Sequence, residues 1–295
     1  MKLFDLHCDT AFEMYKKSES LYSNKLHIAL DRTRNFENYA QIMAIWSDCN
    51  KSDEECFADF KNINSALQKE ADRYFDGNRS SYLISVEDGK LLSGDIKRLD
   101  FLYDEGVRFL IPMWSGENCI GGAFDTSKGL TDFGKNVISR CFEIGIVPDI
   151  SHSSLESASE ILNMADAAGK PVIASHSCSY GIYPHARNLR DEQFLRIKDM
   201  GGVVGLSFCR YHLAPKEEKC TSDNILAHIE HYLNIGGENT LCFGADMDGA
   251  PMPDDIYGIE SIPYLYDKIC DTFGKNIADN IAWNNAYNFV NSISK

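Results

Sequence analysis

The chain has 295 residues, of which 44% are hydrophobic and 25% are charged, and this composition excludes a disordered, collagen-like or coiled-coil protein. Its 29 Lys and Arg against 44 Asp and Glu leave a formal net charge of -15, which disfavours nucleic acid and the anionic face of a membrane as partners. No apolar stretch approaches the roughly 18 residues that cross a bilayer, and the first residues include an acid and a histidine where a signal peptide is apolar. We therefore expect a cytoplasmic protein.

The ten cysteines are spread along the whole chain and include no C-x-x-C pair. This spacing is not typical of a zinc ribbon or of a small disulfide scaffold. We expect most of them to be buried free thiols in a reducing compartment.

Short apolar runs rich in β-forming residues alternate with segments of helical spacing. The eight runs are residues 3–6, 40–46, 82–86, 107–112, 146–150, 172–174, 203–207 and 241–245. No linker, low-complexity tract or repeat interrupts the alternation. We therefore predict eight strands in a single domain over residues 1–295.

The segments between the runs carry helix signals. Apolar residues that step by three or four are Phe57, Phe60, Ile63, Leu67, Ala71 and Tyr74, and a second set, Ile225, Ile229 and Leu233, follows the polar cluster 222–224. Ser153 and Glu156 have the spacing of a capping box at the start of the helix after the fifth run. Four glycines stand where helices should end before the last four runs, namely Gly145, Gly169, Gly201 and Gly236.

Eight strands that alternate with helices are typical of a closed (β/α)8 barrel or of an open doubly wound sheet. The number of strands and the absence of a Gly-x-Gly-x-x-Gly motif after the first run favour the barrel. We therefore predict the α/β class with a (β/α)8 TIM-type barrel. In such a barrel the loops after the strands converge on one mouth, so we expect the chemistry there.

Candidate site residues follow six of the eight runs, at the predicted mouth of the barrel. They are His7 and Asp9 after the first run, Glu87 after the third, Trp114 after the fourth, His152 after the fifth, His176 after the sixth, and Asp246 and Asp248 after the eighth. Taken singly, each has an ordinary explanation, such as a surface pair, a salt bridge or a structural histidine. Their convergence on one mouth favours a metal site.

The number of these residues indicates two ions. Residues two apart on a strand point to the same side, so His7 and Asp9 can present an imidazole and a carboxylate to one ion. With Glu87, His152 and His176 they make five ligands, one more than a tetrahedral zinc ion uses and suited to two ions that share a carboxylate. Two such cations, roughly 4 Å apart, polarise a carbonyl and lower the pKa of a bridging water towards about 7. The residues predict metal-assisted hydrolysis of an amide or ester.

With these residues in hand, the sequence resembles the membrane (renal) dipeptidase family, which consists of zinc-dependent dipeptidases of the (β/α)8 amidohydrolase-like type. The resemblance spans nearly the whole chain. It is carried, in family order, by Asp5-Leu6-His7-Cys8-Asp9-Thr10, Ser85-Val86-Glu87-Asp88-Gly89, Asp149-Ile150-Ser151-His152, Ser175-His176-Ser177, His185-Ala186-Arg187-Asn188-Leu189-Arg190-Asp191 and Gly244-Ala245-Asp246-Met247-Asp248-Gly249.

The resemblance implies a role for each metal ligand. His7 and Asp9 would hold one zinc ion, His152 and His176 would hold the other, and Glu87 would bridge both. It also implies a metallo-dependent hydrolase-like barrel and a homodimer.

The resemblance further implies substrate contacts. Arg187 would bind the terminal carboxylate of a dipeptide, a task suited to a planar guanidinium. Asp246 would orient the bridging water or accept its proton and would meet the substrate's amino group. We expect Asp248 either to support the metal ligands from outside the site or to fix a loop. Trp114 stands where the family usually has a histidine that stabilises the developing oxyanion, and an indole N–H donates one hydrogen bond without a positive charge.

Three functions are compatible with these residues. The first is a zinc-dependent dipeptidase that hydrolyses the peptide bond of dipeptides by a metal-bridging hydroxide. The second is another metal-dependent amidohydrolase, acting on an N-acyl amino acid or a cyclic amide. The third is a metal-containing binding protein with weakened turnover, because Trp114 replaces the expected histidine.

Two further histidines lie on the predicted helix near residue 229. His228 and His231 flank Glu230 but do not form a His-Glu-x-x-His motif, and they lie off the apolar positions of the helix. We expect both to be solvated.

Overall fold

The structure is a computed structural model that describes residues 1–293. Over these residues, seven parallel strands form one curled sheet in the order β5-β4-β3-β2-β1-β7-β6. The strands are β1 Leu3–Cys8, β2 Tyr39–Trp46, β3 Ser80–Glu87, β4 Val107–Ile111, β5 Val147–Pro148, β6 Val204–Leu206 and β7 Leu241–Phe243. They fall on seven of the eight predicted runs. The predicted domain boundary at residue 295 lies outside the described residues.

The sixth predicted run closes the sheet without forming a strand. Ile173 pairs with Asp149, which follows β5, and Ala174 pairs with Val204 in β6, in both cases by an isolated parallel bridge. Because β5 and β6 are the two edges of the sheet, these bridges join its edges. The predicted (β/α)8 barrel is confirmed, with one position reduced to two bridges. Pro171 stands directly before this run and has no N–H to extend its pairing.

The parallel register brings the strand ends to one mouth. β2 and β3 pair residue by residue from their starts to Trp46 and Glu87, which lie opposite each other at the last pair. Glu87 in turn opposes Ile111 at the end of β4. The side chains that follow β1 to β7 therefore share one rim.

Helices cover the outside of the barrel. The α-helices within residues 1–293 are α1 Thr10–Lys17, α2 Asp53–Tyr74, α3 Ile96–Asp104, α4 Asp132–Ile144, α5 Leu155–Ala168, α6 Asp191–Asp199, α7 Arg210–Leu213, α8 Ser222–Asn234, α9 Ile262–Phe273, α10 Lys275–Asp279 and α11 Asn285–Ile293. The buried face of α2 includes Phe60, Ile63, Leu67 and Ala71, as the spacing predicts. None of these helices combines the length and the apolarity needed to cross a membrane.

Two of the predicted helix starts are wrong by a residue or more. The N-cap of α5 is Ser154, whose side chain accepts the N–H of Ser157, so the capping box between Ser153 and Glu156 is not formed. The N-cap of α8 is Thr221, one residue before the predicted cluster. The ends are confirmed, because all four predicted glycines have a positive φ, the conformation in which glycine ends a helix without strain.

The histidines of α8 correct another prediction. His228 is buried, since its Nδ1 accepts the N–H of Ser179 at 3.0 Å and its Nε2 donates to the carbonyl of Leu213 at 3.2 Å. His231 is half-buried, with Nε2 2.7 Å from a carboxylate oxygen of Asp191. The prediction of solvated side chains was wrong because the loop after residue 176 and α7 pack on this face of α8. The ten cysteines are free thiols, and most are buried, as predicted.

Candidate active site

The five predicted metal ligands meet at the mouth of the barrel and are buried there. Each of these side chains belongs to a residue that is at most 8% exposed. In chain order they are His7, Asp9, Glu87, His152 and His176. We call His7 and Asp9 the first ligand pair, and His152 and His176 the second ligand pair. The strand ends thus bring together side chains that are up to 169 positions apart in the sequence.

Glu87 stands between the two ligand pairs. Its Oε2 lies 3.6 Å from Nε2 of His7, whereas its Oε1 lies 3.1 Å from Nε2 of His152 and 3.5 Å from Nε2 of His176. Each carboxylate oxygen therefore faces a different pair. This is the arrangement that a carboxylate shared by two cations requires.

The first ligand pair is surrounded by carboxylates. Nε2 of His7 lies 3.5 Å from Oδ2 of Asp9 and 3.9 Å from Oδ1 of Asp246. This nitrogen is buried and has no hydrogen-bond partner among the described residues. Burial lowers the pKa of His7, but the charges of Glu87 and Asp9 raise it, and the net pKa is well above its ordinary value. A positive charge is therefore favoured at this position.

The second ligand pair consists of two neutral imidazoles. Nε2 of His152 lies 2.9 Å from Nε2 of His176. Burial and then the charge of Arg187 lower the pKa of His152 to about 4. Burial and then the charge of His7 lower the pKa of His176 well below its ordinary value. Neutral imidazole is the form that binds a metal ion.

Backbone and hydroxyl groups orient these imidazoles. Nδ1 of His152 donates to the carbonyl of Trp114 at 2.9 Å, which leaves the lone pair of Nε2 directed at Glu87 and His176. Nδ1 of His176 lies 2.9 Å from Oγ of Ser175, and Nδ1 of His7 lies 3.4 Å from the same oxygen. The sequence did not reveal these contacts, although Ser175 stands directly before His176.

The residues fit divalent cations. Donor atoms of His7, Glu87 and His176 all lie within 4.8 Å of one another, and so do those of His7, Asp9 and Asp246. An unpartnered buried nitrogen beside three buried carboxylates is costly without a cation. Imidazole nitrogens and carboxylate oxygens are donors that zinc accepts. Asp246, predicted for the water and the substrate, thus lies within reach of the first ligand pair.

The backbone at the mouth is strained where it presents site residues. His152, Asp246 and Asp248 have φ angles of 68°, 62° and 70°, a region that residues with a Cβ rarely occupy. Such strain is typical of functional sites that the surrounding structure holds in place.

A glycine that sequence reasoning missed packs against the carboxylates of the mouth. A Cβ on Gly249 would overlap Oδ2 of Asp9 and would lie 2.5 Å from Oδ1 of Asp246. The motif that contains Asp246 and Asp248 ends in this glycine, which is the signal that could have identified it.

Arg187 is a buried cation without a carboxylate partner within residues 1–293. It is 5% exposed, its Nη2 donates to the carbonyl of His176 at 3.3 Å, and its Nε has no partner. Burial lowers the pKa of Arg187, while the charges of Asp246 and Glu87 raise it. A guanidinium held this way suits an anionic group that enters from outside.

Three of the predicted ligands, Asp9, Glu87 and His152, line a cavity of about 360 Å3 together with Arg187. One side is an aromatic wall of Phe12, Trp46 and Trp114, in which the ring of Trp46 lies 5.2 Å from Phe12 and 5.0 Å from Trp114. The ring of Trp114 also lies 5.9 Å from that of His152. Trp114 therefore lines the cavity beside the ligands, at the position where the sequence predicts it.

Asp248 fixes a loop at the mouth, which is one of the two roles predicted for it. Its Oδ2 accepts a hydrogen bond from Oγ1 of Thr10 and its Oδ1 accepts the N–H of His27, each at 2.6 Å. These bonds tie the segment around residue 27 to the loop after β7. Both carboxylate oxygens of Asp248 are therefore engaged by these segments, although the residue also lines the cavity.

Comparison with known proteins identifies a family for this chain. The sequence model described as membrane dipeptidase (peptidase family M19) matches residues 1–294. A protein of Klebsiella pneumoniae, described as an uncharacterised protein in the pqqA 5' region, is 29% identical over 212 residues, which are 68% of this chain and 77% of that protein. An uncharacterised dipeptidase of Schizosaccharomyces pombe is 29% identical over 200 residues, which are 66% of this chain and 48% of that protein. The chain thus spans about half the length of the yeast relative.

A solved structure shares the fold. The metallopeptidase of Rhodobacter sphaeroides, bound to a phosphinate mimic of the dipeptide L-Ala-D-Ala, superposes with a TM-score of 0.88 at 20% sequence identity. The superposition covers 99% of this chain and 99% of that chain. The likeness concerns the fold and covers nearly the whole chain.

Proposed function

The chain belongs to the membrane dipeptidase family, peptidase family M19, and from this premise we propose that it is a zinc-dependent dipeptidase with two metal ions. The observation that carries the proposal is the position of Glu87, whose two oxygens face different ligand pairs at 3.1 to 3.6 Å. His7 and Asp9 would hold one ion, His152 and His176 the other, and Glu87 would contact both.

The remaining site residues divide the work on the substrate. Bound cations would polarise the scissile carbonyl and lower the pKa of a water towards about 7. Arg187 binds the terminal carboxylate, for which its unpartnered Nε and buried charge are suited. Asp246 accepts the proton of the attacking water, and burial, which raises the pKa of its carboxyl well above the ordinary value, makes it a stronger base.

The aromatic wall contributes binding energy rather than charge. Trp114 lies beside His152 and presents an apolar surface to the cavity. A substrate with an apolar group next to the scissile bond would pack on Phe12, Trp46 and Trp114. Trp114 carries no positive charge, unlike a protonated histidine, which the resemblance implies at this position. The bound cations would then stabilise the negative charge of the transition state.

The wall also favours a second candidate, hydrolysis of N-acyl amino acids, because an acyl group is apolar. Assays on matched pairs, such as L-Leu-Gly and N-acetyl-L-Leu-Gly, distinguish the two functions. We expect hydrolysis of the free dipeptide only, since Asp246 offers a carboxylate to the free amino group. Activity on blocked amino groups alone would contradict the dipeptidase.

The decisive experiment measures zinc per chain in freshly purified protein together with hydrolysis of L-Ala-L-Ala and L-Ala-D-Ala. We expect two zinc ions per chain and activity that a chelator removes. Protein that binds no divalent cation, or that hydrolyses no dipeptide when loaded, would contradict the proposal.

We also propose a single domain over residues 1–295, a cytoplasmic location and a homodimer. The family match over residues 1–294 supports the single domain. The ten free thiols support a reducing compartment. The homodimer rests on the family resemblance alone, and light scattering on the purified protein tests it.

A further inference from the structure

Two buried aspartates that are not among the predicted ligands lie beneath the site. Asp5 is 2% exposed and stands two residues before His7. Asp149 is 0% exposed and stands three residues before His152. Neither lines the cavity, so neither contacts a substrate there.

Asp149 connects the two segments that carry the second ligand pair. Its Oδ1 accepts the N–H of Ser151 at 2.9 Å and the N–H of Ser175 at 3.0 Å. These two residues directly precede His152 and His176. One carboxylate oxygen therefore holds the backbones of both histidines at a common point.

Asp5 makes the same arrangement on the other side of the barrel. Its Oδ1 accepts the N–H of His7 at 3.2 Å and the N–H of Ala245 at 2.9 Å. Ala245 directly precedes Asp246. The oxygen thus ties the backbone of one ligand to that of the acid beside it.

These bonds lie where the strands of the sheet are short. β5 has two residues, the sixth predicted run (residues 172–174, called the sixth segment below) has only isolated bridges, and β7 ends two residues before Ala245. A few single backbone bonds also join the ends of these segments, such as that from the N–H of Asp246 to the carbonyl of His7 at 3.1 Å. Bonds from N–H groups to a carboxylate are stronger than neutral ones, so each aspartate replaces part of the missing ladder.

We propose that Asp149 and Asp5 are positioning residues, each for one half of the metal site. Asp149 sets the spacing of His152 and His176, and Asp5 sets His7 against Asp246. This inference rests on the proposed function, because it assumes that these side chains hold cations. Outer groups of this kind typically change metal affinity by roughly 10- to 100-fold when removed.

The test measures zinc release from the full chain against increasing chelator concentration. The variants are Asp149→Ala, Asp149→Asn, Asp5→Ala and Asp5→Asn. We expect Asp149→Ala to release one of two zinc ions at a roughly 10- to 100-fold lower chelator concentration and to retain the other as in the wild type. Asp5→Ala should weaken the other ion instead. The Asn variants keep an oxygen acceptor for both N–H groups and should stay within a few-fold of the wild type.

A cycle of variants identifies which ion is affected. His176→Ala removes a ligand of the second pair, so adding Asp149→Ala to it should change the remaining ion by less than about twofold. Adding Asp149→Ala to His7→Ala should still weaken the remaining ion. The proposal would be overturned if Asp149→Ala weakened both ions equally. It would also be overturned if Asp149→Ala weakened the remaining ion in His176→Ala and not in His7→Ala.

Asn285→Ala is the matched control for lost stability. Asn285 is a buried polar side chain at the opposite end of the barrel, where its Nδ2 donates to the carbonyls of Glu238 and Leu241 at 3.0 and 2.8 Å. Its loss should lower the melting temperature without changing zinc release. The positioning role is wrong if Asn285→Ala weakens zinc binding as much as Asp149→Ala does. It is also wrong if Asp149→Asn binds zinc as weakly as Asp149→Ala. Wild-type protein without zinc would instead contradict the proposed function.

Discussion

The two ligand pairs differ in how the fold produces them and in the charge around them. In the first pair, His7 lies within a six-residue strand that is buried throughout, and Asp9 directly follows that strand. The second pair, His152 and His176, follows a two-residue strand and a segment with only isolated bridges. Three carboxylates lie within 3.9 Å of Nε2 of His7, whereas the second pair shares one carboxylate oxygen.

This difference indicates two ways to hold a cation. At the first pair, the negative charge of Asp9, Asp246 and Glu87 attracts a cation directly. At the second pair the imidazoles are neutral and the nearby Arg187 repels a cation, so affinity depends on the exact placement of the two rings. We therefore expect the first ion to bind more tightly than the second, and sequential release by a chelator measures this order.

Removing the shared ligand should have the largest effect. Glu87→Ala takes away a side chain that faces both pairs, so we expect loss of both zinc ions and a fall of dipeptide hydrolysis below roughly one-thousandth of the wild-type rate. Metal content and initial rates check this. Glu87→Gln keeps the size of the side chain and separates loss of charge from loss of packing. One ion retained at full affinity would show that Glu87 serves a single pair.

Removing Arg187 should weaken substrate binding without weakening either metal ion, because Arg187 repels the second ion and does not hold it. Arg187→Ala should lower kcat/KM for L-Ala-Gly by about 10- to 150-fold, the loss expected for a hydrogen-bonded pair of charges. L-Ala-glycinamide lacks the carboxylate and is the matched substrate, for which the variant should equal the wild type. An equal loss on both substrates would remove Arg187 from carboxylate binding.

A substitution near the first pair should affect that pair alone. Gly249→Ala places a methyl group against Oδ2 of Asp9 and 2.5 Å from Oδ1 of Asp246. We expect the first ion to bind about 10- to 100-fold more weakly and the second to be unchanged, as zinc release would show. Gly94→Ala is the control for backbone strain alone, because Gly94 has a φ of +75° and a Cβ there has no neighbour within 4 Å. It should lower stability without changing zinc release. A weaker second ion would contradict the separation of the pairs.

The aromatic wall should affect selectivity and leave both pairs intact. Trp114→Ala keeps the carbonyl that accepts from Nδ1 of His152, so metal content should not change. The preference for L-Leu-Gly over Gly-Gly, as a ratio of kcat/KM values, should fall by about 5- to 30-fold, since a buried Leu side chain loses part of its contact surface. A large gain of hydrolysis in Trp114→His would instead support the weakened binding protein.

Replacing His228, a buried histidine outside the site, should change the pH dependence of stability and have the smallest effect on activity. Burial lowers the pKa of His228 from 6.5 to about 4. Between these values the unfolded chain binds a proton that the folded chain does not, so stability is lost as the pH falls from 6.5 to about 4, by about 3 kcal/mol at most. Urea unfolding at pH 7 and pH 5 should show a smaller acid loss in His228→Gln. An unchanged loss would assign the acid sensitivity to the ligand pairs.

The sequence predicted what depends on local alternation and strand ends. His7 and Asp9 could be placed together because residues two apart on a strand share a side. Glu87, His152 and His176 could be placed at one mouth because the ends of parallel strands meet.

The contacts between distant segments could not be predicted. The approach of Asp246 to His7, the carbonyl of Trp114 on His152 and the burial of His228 depend on which loops pack together. The positive φ of His152 has no sequence signal, since residues other than glycine rarely adopt it. The sixth run was predicted as a strand but forms only isolated bridges, because an apolar run does not reveal how many of its residues pair.

The isolated bridges of the sixth segment have a consequence for the dynamics of the barrel. Ile173 and Ala174 each form one isolated bridge to a neighbour, so this seam has fewer backbone bonds to break in a local opening than the long pairing of β2 with β3. Amide protons along it should exchange with solvent before those of β2 and β3. His152 and His176 lie on opposite sides of the seam, and a cation held by both would therefore slow hydrogen exchange there more than elsewhere in the barrel.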